Sequence, residues 1–216
     1  MKHAAAPCAL IRRYATVFWD FDGVIKESLA VKADAFERLF APFGAALAMR
    51  VRSHHERHGG LSRYEKLPLY LEWAGKESSA AEVARYCELF SAAVCQRVID
   101  CEWVAGAREY LRANYPRQTF LLVTGTPQSE IARILGALGI AHWFREVHGA
   151  PVAKADAICS ALARQPRAPA IFIGDSASDY AAARAAGIDF LLRRTDFNRE
   201  LQQTCSGPQC DNFRDA

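Results

Sequence analysis

Two aspartates one residue apart, Asp20 and Asp22, follow an apolar run and precede Gly23 in the stretch VFWDFDGV (17–24). A carboxylate is already ionised at neutral pH, so Asp20 can attack phosphorus without an activating base and become an acyl phosphate. Asp22 can hand a proton to a leaving oxygen and take one back from water, and its backbone carbonyl can reach a metal. Related groups recur downstream: Thr124 and Gly125 after FLLV, Lys154 at a helix start, and Gly174-Asp175 with Asp179 four residues on. Thr124, with the N–H groups of Gly125 and Gly23, suits phosphoryl oxygens. Lys154 supplies compact positive charge against both phosphate and nucleophile. Four carboxylates in one cleft would repel by several kcal/mol unless a cation lay among them. Oxygen donors beside phosphate point to Mg²⁺, bound directly by Asp175, with Asp179 holding a metal water or orienting Lys154.

Taken singly, these features have commonplace explanations. A DxD is often a solvated turn, a lone lysine a surface charge, and Gly-Asp-Ser at 174–176 a helix start with its cap. What sets them apart is position, because each falls at the carboxyl end of an expected strand or the start of the helix that follows. In open α/β sheets that edge is where ligands bind.

The elements that must do the positioning are legible from periodicity. Residues 16–22 read as a buried strand. Phe36, Leu39, Phe40 and Phe43 then share one helical face, interrupted by Pro42 and Gly44. Leu47, Val51, His54 and His58 form a second stripe ending at Gly59-Gly60. Ser79 with Glu82 caps a third, carried by Val83, Tyr86, Cys87, Phe90 and Val94. Beyond Gly106 helices alternate with short apolar runs at 119–125, 144–149, 170–175 and 189–192. Alternation of this kind implies a doubly wound parallel α/β sheet. The helical block that separates the first strand from the others is too long for a loop and reads as a small inserted α-helical domain. The expected division is therefore a core of 1–25 and 103–216 and an insert of 26–102, with an irregular polar tail after 195.

Composition excludes several classes. The net charge of +3, from 27 basic and 24 acidic residues, is too small for a nucleic-acid footprint. No uncharged apolar window reaches the ~18 residues of a membrane span, and the first residues lack the apolar core of a secretory signal. Seven scattered cysteines suit reduced thiols and a cytoplasmic setting, although Cys205 and Cys210 could pair or hold a metal. Nothing in the sequence fixes an oligomeric state.

VFWDFDGV (17–24), LLVTGT (121–126), Lys154 in HGAPVAKADAI and IFIGDSASD (171–179) together resemble the four ordered motifs of haloacid dehalogenase-like hydrolases. The match runs from about 15 to 192. The insert resembles the helical cap of the phosphoglycolate-phosphatase and β-phosphoglucomutase branch. The resemblance implies Asp20 as nucleophile, Asp22 as acid/base, and Thr124 and Lys154 on phosphate. It further implies that Asp20, Asp22 and Asp175 hold Mg²⁺ with Asp179 in support. Dehalogenases and phosphonoacetaldehyde hydrolases lack the second carboxylate of the first motif, so Asp22 favours a phosphate ester.

Gly-Gly followed by LSRYEKL (59–67) is similar to that branch's substrate loop, which makes Arg63 and Lys66 candidates for an anionic substrate or, equally, solvated helix-end charges. Pro68 should kink or delay the helix marked by Tyr64, Leu67 and Leu71. His54 and His58 share a helical face and could hold zinc, and one imidazole of the cluster, His55 foremost, could face substrate. Trp19 reads as packing. The expected activity is a Mg²⁺-dependent phosphatase of a small phosphorylated metabolite, a sugar or sugar-acid phosphate. A phosphosugar mutase and an inactive binding module are the alternatives.

Overall fold

Short β-branched and aromatic runs build the sheet in the computed structural model, which describes residues 7–164 and 168–214. The first six residues of the N-terminal stretch discussed above lie outside them. The strands are β1 (Thr16–Trp19), β2 (Thr119–Pro127), β3 (Glu146–Ala150), β4 (Ala170–Gly174), β5 (Asp189–Arg193) and β6 (Gln209–Cys210). They lie in the order β3-β2-β1-β4-β5-β6 and every pair is parallel. The chain begins mid-sheet at β1, moves outward through β2 and β3, then returns to β4 on the other side of β1. The order reverses between β1 and β4, and at that point the strand ends open a crevice.

Helices α1 (Pro7–Ile11), α2 (Leu29–Phe40), α3 (Ala45–Arg57), α4 (Arg63–Trp73) and α5 (Ala80–Asp100) precede the second strand, followed by α6 (Ala107–Asn114). Four crossover or tail helices complete the chain: α7 (Gln128–Ala137), α8 (Lys154–Ala163), α9 (Ala177–Ala186) and α10 (Arg199–Thr204). Side chains alternate along the strands into two apolar clusters, as a period of two requires. Val17, Trp19, Phe120, Leu122, Ile171 and Ile173 share one face, and Phe18, Leu121, Val123 and Phe172 the other. The first cluster continues into Phe36, Phe40, Tyr70 and Phe90 of α2, α4 and α5. The two connections into this helical segment run side by side, Glu27 N–H donating to Glu102 O (2.9 Å) and Val104 N–H to Ile25 O (3.0 Å).

Two expectations are corrected. The tail after 195 is not irregular: it forms α10, and Gln209–Cys210 pairs with Leu192–Arg193 of β5. The open edge of β5 carries backbone groups that a neighbouring segment satisfies, and a two-residue strand has no period for a sequence to display. Nor does Pro68 delay its helix. α4 starts at Arg63 under a Ser62–Glu65 capping box, and burial of Leu67, Tyr70 and Leu71 offsets the backbone bond the proline removes. Cys205 and Cys210 are free thiols in different apolar clusters. They do not pair, and neither joins a metal-binding group among the described residues.

Trp19 is packing, as expected. Its ring meets Phe213 at 5.3 Å and Phe120 at 5.7 Å between centroids. Phe213→Ala should therefore cost about 3 kcal/mol by leaving a cavity against Trp19. That is a fall of roughly 6–12 °C in thermal midpoint, measurable by calorimetry.

Candidate active site

Trp19 of β1 stands level with Ile173 of β4, so Asp20 and Asp175 emerge side by side where the strand order reverses. Asp20 N–H donates to Ile173 O (2.9 Å), and its Oδ1 accepts from Phe21 N–H (2.7 Å). Its Oδ2 accepts from Lys154 Nζ at 3.0 Å, and the same ammonium donates to Asp179 Oδ1 at 2.5 Å. Asp179 Oδ2 accepts from the N–H groups of Asp175 and Ser176 and from Ser176 Oγ. Asp179 thus closes the first turn of α9 and aims Lys154. Asn198, from the tail, donates to Asp175 O (2.7 Å). Gly23 adopts φ +73°, and a Cβ there would lie 2.5 Å from Asp175 Oδ2, so only glycine lets the turn after β1 pass against that carboxylate.

Oxygens of Asp20, Asp175 and Asp179, all buried, lie within 4.8 Å of one another. Burial and then the charge of Asp179 push the Asp20 carboxyl up to about 7 against the pull of Lys154. Burial, Asp179 and Asp20 hold Asp175 well above the ordinary carboxylate range. Burial opposes the Lys154 ammonium, yet Asp179 and Asp20 keep its proton affinity above the ordinary lysine value. The cluster is short of positive charge. An all-oxygen, anionic donor set of this kind fits a hard divalent ion such as Mg²⁺.

Asp22 faces other partners. Ser28 Oγ donates to its Oδ1 (2.6 Å), while Thr126 Oγ1 (3.0 Å) and Lys32 Nζ donate to its Oδ2. Its side chain is therefore not one of the three clustered carboxylates, which leaves its backbone carbonyl as its route to an ion. Burial alone would raise the Asp22 carboxyl, but Lys32 outweighs it and holds the group below its usual value. Lys32 also donates to Thr126 Oγ1 (2.8 Å). Thr124 is buried, accepts from Thr126 N–H (3.2 Å), and lines the cavity over Asp20 together with Gly125.

Helices α2–α5 roof that cavity, with Lys32, Phe36, His55, Arg63 and Lys66 on its walls. It measures about 30 Å³, room for about two waters. The loop before α4 rests on the turn after β4 so closely that a Cβ on Gly60 would fall 2.1 Å from Ser176 Oγ. Arg63 is committed to Glu130 of α7 through two bonds of 2.8 and 2.6 Å, both side chains 3% exposed. Ser91 of α5 joins the pair, and Phe90 lies 4.5 Å beneath the guanidinium.

Lys66 Nζ lies 2.9 Å from His55 Nδ1. Burial first and then Lys32 hold the Lys66 ammonium down to about 7. Burial and Lys66 hold His55 well below its ordinary value, so its ring is a neutral acceptor. His54 instead contacts Tyr70 Oη (2.9 Å), and its ring lies tilted against that of His58, 4.4 Å between centroids. No histidine joins a metal-binding group among the described residues.

A family model for haloacid dehalogenase-like hydrolases matches residues 14–187. The chain belongs to that family. Among its relatives, a phosphoglycolate phosphatase of Pseudomonas savastanoi pv. phaseolicola is 28% identical over 182 residues, covering 80% of this chain and 66% of the relative. One of Pseudomonas fluorescens is 27% identical over 210 residues, covering 92% and 76%. The chain thus spans about two thirds to three quarters of their length. The fold matches CbbY of Rhodobacter sphaeroides in complex with phosphate (TM-score 0.71, 16% identity, 93% and 95% of the two chains covered). It also matches a haloacid dehalogenase-like family hydrolase of Streptococcus pneumoniae (0.67, 19%, 92% and 94%).

In this haloacid dehalogenase-like hydrolase, residues that sequence reasoning passed over include Lys32, Thr126, Ser28, Glu130 and Asn198. Lys32 left a signal, since it sits one turn before Phe36 and two before Phe40 on the apolar face of α2, where a charge is out of place. Glu130→Ala should cost 3–5 kcal/mol by stranding the Arg63 charge, and adding Arg63→Met should recover most of that loss in urea titrations. A second expectation concerns acid. With His55 held below 6.5, the folded state binds fewer protons than the unfolded one, so stability is complete above about 6.5 and falls as pH drops below it. His55→Gln should lose less stability than the parent between pH 7 and pH 5 in the same titrations.

Proposed function

We propose that this protein is a phosphatase that hydrolyses a small phosphate monoester through an aspartyl phosphate on Asp20. The observation that carries the reading is the meeting of Asp20, Lys154 and Asp175 at the sheet's switch point, with Asp22 two residues from the nucleophile. Asp20 and Asp175, with the backbone carbonyl of Asp22, are suited to hold Mg²⁺, which when bound offsets the charge gathered on the phosphoryl oxygens.

Asp20 attacks phosphorus as the bond to the leaving oxygen breaks. Lys154 keeps the nucleophile oriented and offsets charge, while Thr124 and the N–H groups of Gly23 and Gly125 receive the equatorial oxygens. Asp22, having taken up a proton from solvent as the substrate enters, gives it to the leaving oxygen. It starts as a carboxylate beside Lys32. An incoming phosphate in the shared cavity competes for that ammonium and adds negative charge nearby, and both effects raise the proton affinity of Asp22. Asp22 then takes a proton from the water that attacks the acyl phosphate. The Asp20–phosphorus bond breaks and inorganic phosphate leaves.

The segment 26–102 serves as a cap over a core of 1–25 and 103–216. The space directly over Asp20 is about 30 Å³ and adjoins one of about 360 Å³ past Gly59, Gly60 and Leu61, so a shift of the cap about the paired connections at 25–27 and 102–104 would let a phosphate ester reach the nucleophile. The names of the relatives favour a phosphorylated hydroxy acid within the wider class of sugar and sugar-acid phosphates. Seven free thiols support a cytoplasmic setting.

Mg²⁺ with beryllium fluoride, which mimics the acyl phosphate, should raise the thermal midpoint of the parent protein and not that of Asp20→Asn. Asp20→Asn should also lower release of phosphate from p-nitrophenyl phosphate by roughly 10³-fold or more. Near-parental turnover in that variant would refute the mechanism. Isomerisation of a hexose phosphate without net phosphate release would replace hydrolysis by mutase chemistry.

A further inference from the structure

The carboxylates of Asp20, Asp175 and Asp179 converge, and the main chain of Asp175 is held from two opposite sides. On one side Asp179 Oδ2 accepts from the N–H groups of Asp175 (3.2 Å) and Ser176 (3.0 Å). On the other, the Asp175 carbonyl accepts from Asn198 Nδ2 at 2.7 Å. Asn198 comes from the tail, past all four motifs and past the segment shared with the family, which ends at residue 187. Its side chain is buried, and every polar group of the amide has a partner. Nδ2 also donates to Arg193 O (2.8 Å), while Oδ1 accepts from Thr195 N–H (2.9 Å) and Gln202 Nε2 (2.7 Å). Gly174 and Leu192 are level in the β4–β5 ladder, so Asp175 and Arg193 form the next pair. One amide thus bridges the carbonyls of the first pair past the end of β4.

We propose that Asn198 is a positioning residue for the divalent ion, fixing the main chain of Asp175 and with it the direction of the Asp175 carboxylate. The proposal rests on the reading above in which Asp175 binds Mg²⁺. Each residue has only two soft dihedrals, and bonds to both flanking peptide planes leave Asp175 neither. Asp179 cannot provide this alone, because it is one of the carboxylates that repel Asp175, and the two would move apart together. Asn198 is neutral and anchored on β5, so it resists that movement. Mg²⁺ demands near-ideal octahedral geometry at about 2.0–2.1 Å, and a ligand whose main chain can tip meets that demand less often.

The tail is organised around this amide. Phe197 N–H donates to Thr195 Oγ1 (3.2 Å), which closes a tight turn before α10. Gln202 Nε2 also reaches Thr195 O (2.8 Å), and Gln209 Nε2 ties Gln202 O (2.9 Å) to β6. Only an amide gives two bonds to carbonyls while taking two from N–H groups; a carboxylate cannot donate, and a hydroxyl has one proton. Holding the tail together needs no bond to Asp175, since Arg193, Thr195 and Gln202 already supply that. The bond to Asp175 O serves the site.

Titration with Mn²⁺, which takes the same oxygen donors, tests this without turnover when the free ion is followed by its paramagnetic resonance signal. Asn198→Leu should weaken Mn²⁺ binding by about tenfold or more, the loss that follows removal of a ligand's own partner. Asn198→Ala should do the same, and it decides the matter if the leucine variant does not fold. Gln209→Ala, which loosens the tail without touching Asp175, should lower the thermal midpoint yet keep Mn²⁺ affinity within about twofold of the parent's. In turnover of p-nitrophenyl phosphate, the Asn198 variants should need about tenfold more Mg²⁺ for half-maximal rate, with saturated rates within about threefold. Parental affinity in a folded Asn198 variant, an equal loss in Gln209→Ala, or collapse of both Asn198 variants would each overturn the positioning role. Asp175→Asn that binds Mn²⁺ as tightly as the parent would overturn the ion site and the role with it. The expected binding pattern without hydrolysis by the parent would overturn the phosphatase reading alone.

Discussion

Mutual repulsion among buried carboxylates is the constraint on which the rest of this structure depends. Asp20, Asp175 and Asp179 bring oxygens within 4.8 Å of one another, with Lys154 as the ammonium bonded among them. Left to themselves such groups separate or take up protons. Here they cannot separate, because two directly follow adjacent parallel strands in fixed register and the third closes the first turn of a helix, so the proton affinities of Asp20 and Asp175 rise instead. The sheet therefore stores an electrostatic demand at its switch point, one that a doubly charged cation would meet. Asn198 on the Asp175 carbonyl and Gly23 against its carboxylate hold that arrangement tightly enough for the demand to persist.

What was legible in the sequence follows from the same geometry. A parallel sheet delivers the carboxyl ends of its strands to one edge, so Asp20 and Asp175, just past β1 and β4, and Thr124, near the end of β2, could be gathered on paper once the strands were recognised. Lys154 and Asp179 followed from helix starts. Helical periodicity exposed the faces of α2, α3 and α5 because their apolar residues recur each turn. The unread parts lack such a signal. Asn198 and β6 belong to short elements with no period, and their partners lie across the sheet rather than along the chain. Glu130 sits on an ordinary helix, and only the packing of α4 and α5 against α7 turns it into the partner of Arg63. Pro68 obscured α4, although Ser62 with Glu65 three residues on carried the start signal.

Arg63 and Lys66, three residues apart on α4, show how burial alone fails to define a role. The sequence left both open, as contacts to an anionic substrate or as solvated helix-end charges, and burial of both rules out the second. Arg63 makes a forked pair with a carboxylate of the core, with an aromatic ring beneath it. That pairing uses the planar guanidinium to fix one helix against another. It leaves little capacity for a ligand unless Glu130 lets go. Lys66 has no such carboxylate, and a lysine, unlike an arginine, can shed its proton when buried alone. The chain thus places a fixed cation and a responsive one side by side on the same helix.

Lys32 links that responsive cation to the chemistry. Its ammonium contacts Asp22 and Thr126 while lining the cavity that Lys66 also faces. Two like charges on one small cavity repel, so any anion entering between them relieves repulsion as well as adding attraction. A phosphate near Asp20 would draw on Lys32, which lines the same cavity. As that ammonium turns toward substrate, Asp22 loses the charge that keeps it ionised and gains affinity for the proton it must deliver. Binding of that phosphate and protonation of the leaving group would then be coupled through one side chain. Such coupling costs nothing in the ground state of the free enzyme, where Lys32 and Asp22 already satisfy each other.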